Sequence, residues 1–291
     1  MEETIEEKFE QEKKHRIIKI ILLSLFCIVL VVLYSHFLGT KGLEVKEYPI
    51  KTTYLDESFD GFKIVHFSDL HYGSTVDIND VKKLVKTINS KSPHLVVFTG
   101  DLVEKGIKIS ENEAKKLKDE FSKLNPEIEI LTVKGNHDYE HDYYNNIVDY
   151  LGWKFLDNTY EYVYYKSDKP IVIVGLDDLT KGVPDYENAF SYLNEVGDDH
   201  YTIVLAHEPD QILDIKNYNF NLFLAGHSHL GQIRLPLIGA IYTPKGSKKY
   251  YDEHYKVNNA DMYINGGIGT SVIEFRLLNK PSINLYRFYT K

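Results

Sequence analysis

From about residue 60 onward, short runs rich in β-branched and aromatic residues alternate with runs whose apolar residues recur at helical spacing, and few folds accommodate this order. The apolar runs that are predicted to form buried strands are Phe62–Phe67, Leu95–Thr99 and Glu129–Val133. The runs of helical spacing that follow them are Ile78–Asn89, Glu111–Leu124 and Tyr143–Leu151. A β-α-β-α-β order of this kind predicts a parallel sheet covered by helices.

The second half of the chain contains further strand patterns and no obvious helical one. The strands predicted there are Glu161–Tyr165, Ile171–Leu176, Thr202–Ala206, Leu222–Ala225, Ile233–Leu235, Met262–Asn265, Val272–Leu277 and Ile283–Phe288. One sheet of this many strands would be wide, so two sheets packed face to face, with helices outside, are expected. No internal repeat or linker interrupts this part, and residues 60–291 are therefore predicted to form one α/β domain.

The segment Ile20–Leu38 is almost entirely apolar. At about 1.5 Å per residue it spans roughly 28 Å, close to the thickness of the hydrocarbon core of a bilayer. Just before it lie the basic residues Lys13, Lys14, Arg16 and Lys19, and positive charge is sparser after it. The positive-inside rule then predicts a cytoplasmic tail (residues 1–19), a single transmembrane anchor (20–38), a juxtamembrane linker and entry strand (39–59), and an extracytoplasmic domain (60–291).

Two other interpretations of the apolar segment remain. A cleaved signal peptide would normally be shorter and would be followed by a small-x-small cleavage site, which this chain does not show. A buried core helix fits less well, because this run is apolar all round and is flanked by charge.

Charge and cysteine content restrict the function. The formal net charge is −9, and an acidic surface repels the phosphate backbone of nucleic acids, so nucleic acid is not an expected partner. The single cysteine, Cys27, lies inside the apolar segment. The chain therefore has neither a disulfide framework nor a thiolate metal site.

Five short polar motifs share one placement: each follows the end of a predicted strand. They are Ser68-Asp69-Leu70-His71, Gly100-Asp101, Gly135-Asn136-His137-Asp138, Ala206-His207-Glu208-Pro209 and Gly226-His227-Ser228-His229. Taken singly, most of these motifs are compatible with a surface turn or a structural histidine. Ligand sites of open parallel sheets collect at the carboxyl ends of strands, however, so five such motifs together predict one shared site.

The residue types in these motifs favour metal binding. They supply two aspartates, one asparagine and four histidines as ligands, with one further histidine left for catalysis. Mixed nitrogen and oxygen ligands without thiolate suit Mn, Fe, Zn or Ni better than Ca. Seven ligands are too many for one tetrahedral ion and suit two divalent ions that share a bridging carboxylate. His137 could act as an acid or base, and Asp138 could orient its imidazole and raise its basicity.

This ordered set of motifs resembles the calcineurin-like metallophosphoesterases over about residues 60–291. Within that superfamily, the run Gly226–Pro236 and the turn Gly266–Thr270 resemble the bacterial membrane-associated phosphodiesterases. The resemblance implies a four-layer sandwich in which two mixed sheets lie between helices. It also implies ligand roles: one metal would be held by Asp69, His71 and His229, the other by Asn136, His207 and His227, with Asp101 bridging them. His137, supported by Asp138, would be the catalytic acid.

Three departures from the family pattern qualify the resemblance. Leu230 stands where the branch usually has glycine, and we expect its side chain near the site, where it would affect substrate access. The stretch after Asp101 lacks the Asp-Arg pair of the protein Ser/Thr phosphatases, and Asp138 replaces their glutamate, so a protein phosphatase is not expected. Asp177 and Asp178, by contrast, resemble a feature of the branch; they follow the predicted strand Ile171–Leu176 and are expected to form a solvated turn.

The sequence therefore predicts a membrane-anchored phosphoesterase that hydrolyses phosphate esters, with phosphodiesters favoured by the resemblance and lipid- or envelope-linked esters among the expected substrates. The expected nucleophile is hydroxide from metal-activated water. One alternative is a non-catalytic or narrowly specific metal-binding envelope protein with the same fold. A serine esterase is less suitable because the chain has no Gly-x-Ser-x-Gly motif.

Overall fold

The computed structural model describes residues 5–140, 142–197 and 199–290. The strands of its first half are β1 (Glu44–Lys51), β2 (Lys63–Phe67), β3 (Leu95–Phe98), β4 (Glu129–Thr132), β5 (Lys154–Phe155), β6 (Thr159–Val163) and β7 (Ile171–Gly175). Those of the second half are β8 (Thr202–Leu205), β9 (Leu222–Ala225), β10 (Arg234–Leu235), β11 (Gly239–Ala240), β12 (His254–Val257), β13 (Ala260–Ile264) and β14 (Ser282–Tyr289). The helices are α1 (Ile5–Phe37), α2 (Ile78–Ser90), α3 (Glu111–Phe121), α4 (Tyr143–Leu151), α5 (Tyr186–Ala189) and α6 (Leu193–Val196).

Two mixed six-stranded sheets and one small hairpin contain all of these strands. The first sheet has the order β1-β14-β2-β3-β4-β5, the second has the order β12-β13-β9-β8-β7-β6, and β10 pairs with β11. In the first sheet β2, β3, β4 and β5 are parallel, β14 is antiparallel to β2, and β1 is parallel to β14. Since β1 runs opposite to β2, the chain enters β1 at the edge where β2 ends.

Three apolar layers hold the sheets and helices together. The facing sides of the two sheets bury residues such as Ile64, Val97 and Ile203. The outer side of the first sheet packs on α2, α3 and α4, and the outer side of the second packs on the α5–α6 region. Because both faces of each sheet are covered, the central strands are continuous apolar runs. The predicted fold class, two mixed sheets flanked by helices, is confirmed.

Local signals fix where α2 and α3 begin. The Asp77 side chain accepts from the amide of Asp80, the Asp80 side chain accepts from the amide of Asp77, and Ser110 and Glu113 form the same reciprocal pair. These capping boxes satisfy amides that have no partner inside the helix. Both helices therefore start a few residues after the strand-end loops and leave those loops free for the site.

The helix α1 is long and apolar enough to cross a membrane over Glu7–Phe37, and its apolar stretch is not buried against the rest of the chain. The last turn of α1, in contrast, contacts the domain that contains the two sheets. The Arg276 amide donates to Ser35 O at 2.9 Å, and His36 Nδ1 lies 2.8 Å from Glu274 O. Gly39 follows this turn, and a Cβ there would lie 1.9 Å from Arg276 O, so only glycine allows the approach.

Several predicted element boundaries were wrong. Val272–Leu277 is not a strand; it is irregular and joins Ile233 through one isolated bridge, because its backbone hydrogen bonds go to separate partners in α1, at Gln232 and at Arg234 and do not continue along one strand. The short helices α5 and α6 lie where no helix was predicted. The strand predicted at Glu161–Tyr165 is Thr159–Val163, whereas β1 lies within residues 39–59, where an entry strand was expected.

Candidate metal centre

The loops that follow β2, β3, β4, β8 and β9 meet at one edge of the two sheets. Within the first sheet, the Asp69 amide donates to Gly100 O at 2.9 Å and the His71 amide donates to Asp101 O at 3.1 Å. Between the sheets, the His227 amide donates to Asp69 Oδ1 at 3.1 Å. The carboxyl ends of the parallel strands are thus locked together, and all five polar motifs come to one place.

The first group of side chains comprises Asp69, His71 and His229. His229 Nε2 lies 3.3 Å from Asp69 Oδ1, and the Nε2 atoms of His71 and His229 lie 3.0 Å apart. All three residues are buried. Two imidazole nitrogens that face each other beside a buried carboxylate present lone pairs to a common point, which is the arrangement of a metal site.

The second group comprises Asp101, His207 and His227. His207 Nε2 lies 3.2 Å from Asp101 Oδ2 and 3.1 Å from His227 Nδ1. Asp101 Oδ2 also lies 3.6 Å from His71 Nε2 of the first group. Asp101 therefore stands between the two groups, where a bridging carboxylate is expected.

Asn136 completes the donor set. Its Oδ1 atom is buried and has no hydrogen-bond partner among the described residues. A buried amide oxygen without a partner is costly, unless something outside the chain uses it. The unpaired oxygen, the facing imidazoles and the central carboxylate fit a pair of divalent ions.

Three of the four candidate histidine ligands have their outward nitrogens beside a backbone oxygen or a carboxylate. His207 Nδ1 lies 2.6 Å from Thr99 O, His71 Nδ1 lies 2.5 Å from Glu104 Oε2, and His227 Nε2 lies 2.7 Å from Lys245 O. The two carbonyl contacts keep the protons of His207 and His227 on the outward nitrogens and leave the inward nitrogens free as ligands. Burial, followed by the nearby His207, lowers the pKa of His227 to about 4, which favours the neutral ligand form.

His137 lies at the mouth of the site, with Nε2 3.9 Å from Asp101 Oδ2. Its Nδ1 accepts a hydrogen bond from the Lys105 amide at 3.0 Å. A neutral imidazole whose Nδ1 is an acceptor carries its proton on Nε2, so the N–H of His137 faces the site. Glu104 and the Lys105 amide were not singled out in the sequence, because nothing in their spacing marks them.

Asp138 has a different position from the one expected. Its carboxylate accepts hydrogen bonds from the amides of Asp101 at 2.7 Å, Leu102 at 2.8 Å and Gly135 at 2.9 Å. Among the described residues, the imidazole of His137 is instead held by the Lys105 amide. Burial and the charge of Asp101 raise the pKa of Asp138 to about 7. Through its three amide hydrogen bonds, Asp138 links the loop after β3 to the loop after β4.

The prediction of a solvated turn at Asp177 and Asp178 was wrong, since both residues are buried. Asp178 Oδ1 accepts from the amides of Thr180 and Lys181. Glu208, the residue after His207, accepts from the Leu179 amide at 3.0 Å. Burial and the charge of Asp178 raise the pKa of Glu208 to about 8. These carboxyl groups brace the loop behind His207.

Arg276 is fully buried behind the first group, in the segment that was wrongly predicted as a strand. Its Nη2 donates to Gly266 O at 2.8 Å and Gly269 O at 2.6 Å, and lies 3.3 Å from His229 Nδ1. Burial lowers the pKa of Arg276 to about 10. The guanidinium thus joins the glycine-rich turn to His229.

Several site residues have left-handed backbone conformations that side chains other than glycine rarely adopt. The φ angles are 50° for Asp69, 44° for His71, 62° for Asp101, 62° for His227 and 47° for His229. Each such residue costs of order 1–2 kcal/mol. The tight turns that they form aim their side chains at the centre of the site.

A cavity of about 400 Å³ opens over both groups. One wall consists of site residues, and the other is largely apolar and is formed by Ile233, Ile241, Tyr242, Val272 and Ile273. The expectation for Leu230 was wrong: it is only 4% exposed and packs into the apolar layer outside the second sheet. Its side chain therefore does not narrow the cavity.

The chain matches the calcineurin-like phosphoesterase family over residues 62–231 and belongs to that family. It is 36% identical to the uncharacterized metallophosphoesterase YkuE of Bacillus subtilis, over 87% of this chain and 88% of YkuE. It is 25% identical to a transmembrane protein with metallophosphoesterase domain of Danio rerio, over 90% of this chain and 61% of that protein.

Among solved structures, a dimetal phosphatase from Danio rerio is similar over 72% of this chain and 88% of its own, with 12% identity and a TM-score of 0.41. The match to the family model over residues 62–231 and the 36% identity to YkuE confirm the family assignment made from the strand-end motifs. The chain is a metallophosphoesterase of the calcineurin-like class, with clustered histidine and aspartate side chains as its candidate metal ligands.

Proposed function

We propose that this protein is a membrane-anchored phosphodiesterase that uses two divalent metal ions, of which Mn, Fe, Zn and Ni suit the donor set. One observation carries the proposal: Asp101 lies between two histidine-containing groups, beside the unpaired Oδ1 of Asn136. Asp69, His71 and His229 would hold one ion, and Asn136, His207 and His227 the other, with Asp101 bridging.

Two ions bound there would neutralise the non-bridging oxygens of a phosphate ester and provide an activated water nucleophile. His137 supplies the proton: its Nε2–H faces the site and can donate to the leaving oxygen, while the Lys105 amide fixes the ring. The buried position of the inner ligands excludes bulk water, which strengthens each of these interactions.

The apolar wall of the cavity supports a diester. A phosphomonoester has one organic substituent, whereas a diester has two, and the second can lie along Ile233, Ile241 and Tyr242. The anchor is α1, and its basic residues precede the apolar run, which supports a cytoplasmic N-terminus and a catalytic domain outside the cytoplasm.

The test is hydrolysis by the full chain in detergent after its metals have been stripped with a chelator. Bis-p-nitrophenyl phosphate and p-nitrophenyl phosphate are compared, with Mn, Zn, Ni or Mg added back singly. We expect a transition metal to restore hydrolysis and the diester to be the better substrate. A folded chain that binds two ions and hydrolyses neither ester would instead support the non-catalytic or narrowly specific alternative.

A further inference from the structure

The helix α1 and the candidate metal centre lie at the same edge of the first sheet. The centre lies where β2 ends, and β1, which runs opposite to β2, starts there. Only residues 38–43 separate the end of α1 from β1. The contacts of Arg276 with Ser35 and of Glu274 with His36 then fix the end of α1 against this edge.

One short segment joins the helix to the cavity. Val272 and Ile273 line the cavity, whereas Glu274 and Arg276 contact the last turn of α1. Three residues of extended chain reach roughly 10 Å. The mouth of the cavity is therefore close to the point where α1 would leave a bilayer.

Large apolar side chains are exposed to solvent on the two chain segments that supply the apolar wall of the cavity, 231–244 and 271–278. We call this set the apolar rim: Leu237, Ile238, Tyr242, Val272 and Leu278. Leu237 and Val272 are 108% and 91% exposed. An exposed apolar patch on an otherwise soluble surface marks a site of contact with protein, ligand or membrane.

The two parts of the apolar rim are held together by backbone and side-chain contacts. The Arg234 amide in the β10–β11 hairpin donates to Leu277 O at 3.0 Å, and Gln232 Nε2 donates to Ile273 O at 2.8 Å. Lys248 Nζ lies 5.0 Å from the centre of the Tyr242 ring. Aromatic and basic side chains are typical of the interface between water and lipid headgroups.

We infer that the apolar rim enters the same bilayer as α1, and that the substrate is a phosphate ester of a membrane lipid. This inference rests on the proposed function and specifies its substrate class. The acyl chains remain in the bilayer and along the apolar wall, while the phosphate reaches the metal centre. The oxygen of water bonds to phosphorus and the ester P–O bond breaks. The leaving oxygen takes the Nε2 proton of His137, and the proton that the water loses returns His137 to its starting state.

The geometry favours a lipid over a soluble ester for one reason. Moving a lipid from the bilayer into water exposes its acyl chains. The free-energy cost of this transfer rises with the number of methylene groups that are exposed. A cavity at the bilayer surface, with an apolar wall continuous with the apolar rim, avoids that exposure. A soluble ester would need neither the rim nor the position beside α1.

Membrane contact can be measured without catalysis. The full chain is placed in phosphatidylcholine vesicles with or without brominated acyl chains, and Leu237→Trp is compared with Tyr54→Trp. Tyr54 is 82% exposed but follows the far end of β1. The native Trp153 is 6% exposed and common to both variants. We expect brominated lipid to reduce the Leu237→Trp emission at least twofold more than that of Tyr54→Trp. Equal quenching would overturn the inference.

Substrate class is measured with two esters that share a leaving group. Phosphatidyl-p-nitrophenol in vesicles yields phosphatidic acid and p-nitrophenol, and bis-p-nitrophenyl phosphate is its soluble counterpart. We expect the double variant Leu237→Ser, Ile238→Ser to lose at least tenfold in the lipid rate and less than twofold in the soluble rate. The matched control, Tyr54→Ser, should keep both rates.

The outcomes separate the two proposals. Equal loss on both esters, or no loss on the lipid ester, would overturn the lipid inference and leave the phosphodiesterase proposal standing. A chain that hydrolyses neither ester with any metal would overturn the proposed function, and the lipid substrate with it. The fluorescence comparison would still decide whether the apolar rim enters the membrane.

Discussion

Arg276 links the end of the apolar helix to a candidate metal ligand: its amide donates to Ser35 O, and its Nη2 lies 3.3 Å from His229 Nδ1. One residue thus contacts both the helix that is proposed to anchor the protein and the site that is proposed to carry out the chemistry. Its guanidinium also satisfies the carbonyls of Gly266 and Gly269.

Arg276→Met should lower the free energy of unfolding by about 3 kcal/mol or more, because it leaves buried carbonyl groups without donors. The measurement is denaturant unfolding of the full chain in detergent, followed by Trp153 fluorescence. Arg287→Met is the matched control, since Arg287 makes a partly exposed ion pair with Glu47 and should cost less than about 1 kcal/mol. Equal losses in the two variants would contradict the buried role of Arg276.

Asp101→Asn should lose metal and activity together, because one carboxylate would serve both ions. We expect turnover of bis-p-nitrophenyl phosphate to fall by more than about 100-fold. Metal content per chain, measured by inductively coupled plasma mass spectrometry, should fall in parallel. Asp261→Asn, at an exposed ion pair with His254, provides the control. Two bound ions and full turnover in Asp101→Asn would show that Asp101 does not bridge.

His137→Ala should keep its metal and lose rate by about 10²- to 10⁴-fold, the range for a removed general acid. The loss should be larger for a diester with an alkyl leaving group than for one that releases p-nitrophenol, since the better leaving group needs less proton donation. Metal content is measured on the same samples. A loss of metal, or the same rate loss for both leaving groups, would mean that His137 is not the acid.

His66 makes stability depend on pH. It is fully buried between Thr99 and Tyr286, and burial lowers the pKa of His66 to about 3. Below about pH 6.5, His66 therefore binds a proton in the unfolded chain but not in the folded chain. The free energy of unfolding then decreases as the pH falls. Lowering the pH from 7 to 5 should cost about 2 kcal/mol through this residue.

The comparison that isolates His66 is the free energy of unfolding at pH 7 and pH 5 for the native chain and for His66→Gln. Glutamine can still bond to both neighbours and does not titrate. The native chain should lose about 2 kcal/mol more than the variant over this interval. The same loss in both would show that His66 is not the source of the dependence.

The convergence of the five motifs could be foreseen because it depends on local pattern and on topology. Each of Asp69, Asp101 and His227 follows an apolar strand, and parallel strands bring their carboxyl ends to one edge. Arg276 could not be foreseen. Its segment, Val272–Leu277, has strand-like composition, but its neighbours are Gln232 and the end of α1, and tertiary contacts decide such cases.

Asp138, Asp177 and Asp178 illustrate a second limit of sequence reasoning. A carboxylate in a loop can face solvent, a ring nitrogen or a row of backbone amides, and the three possibilities have the same sequence. Asp138 was expected beside His137 but caps amides of two loops. Asp178 was expected in solvent but is fully buried. Only the packing of the neighbouring loops distinguishes these outcomes.

The left-handed backbone at Asp69, His71, Asp101, His227 and His229 places stability and function in opposition. Glycine would relax each of these turns, so a sequence selected only for folding would be expected to drift toward glycine there. This chain keeps a side chain at all five positions and bears the strain of each. Substitution by glycine at Asp101 should thus give a protein whose backbone is less strained and whose chemistry is gone, which is the trade-off expected where side chains are retained for what they do rather than for how they fold.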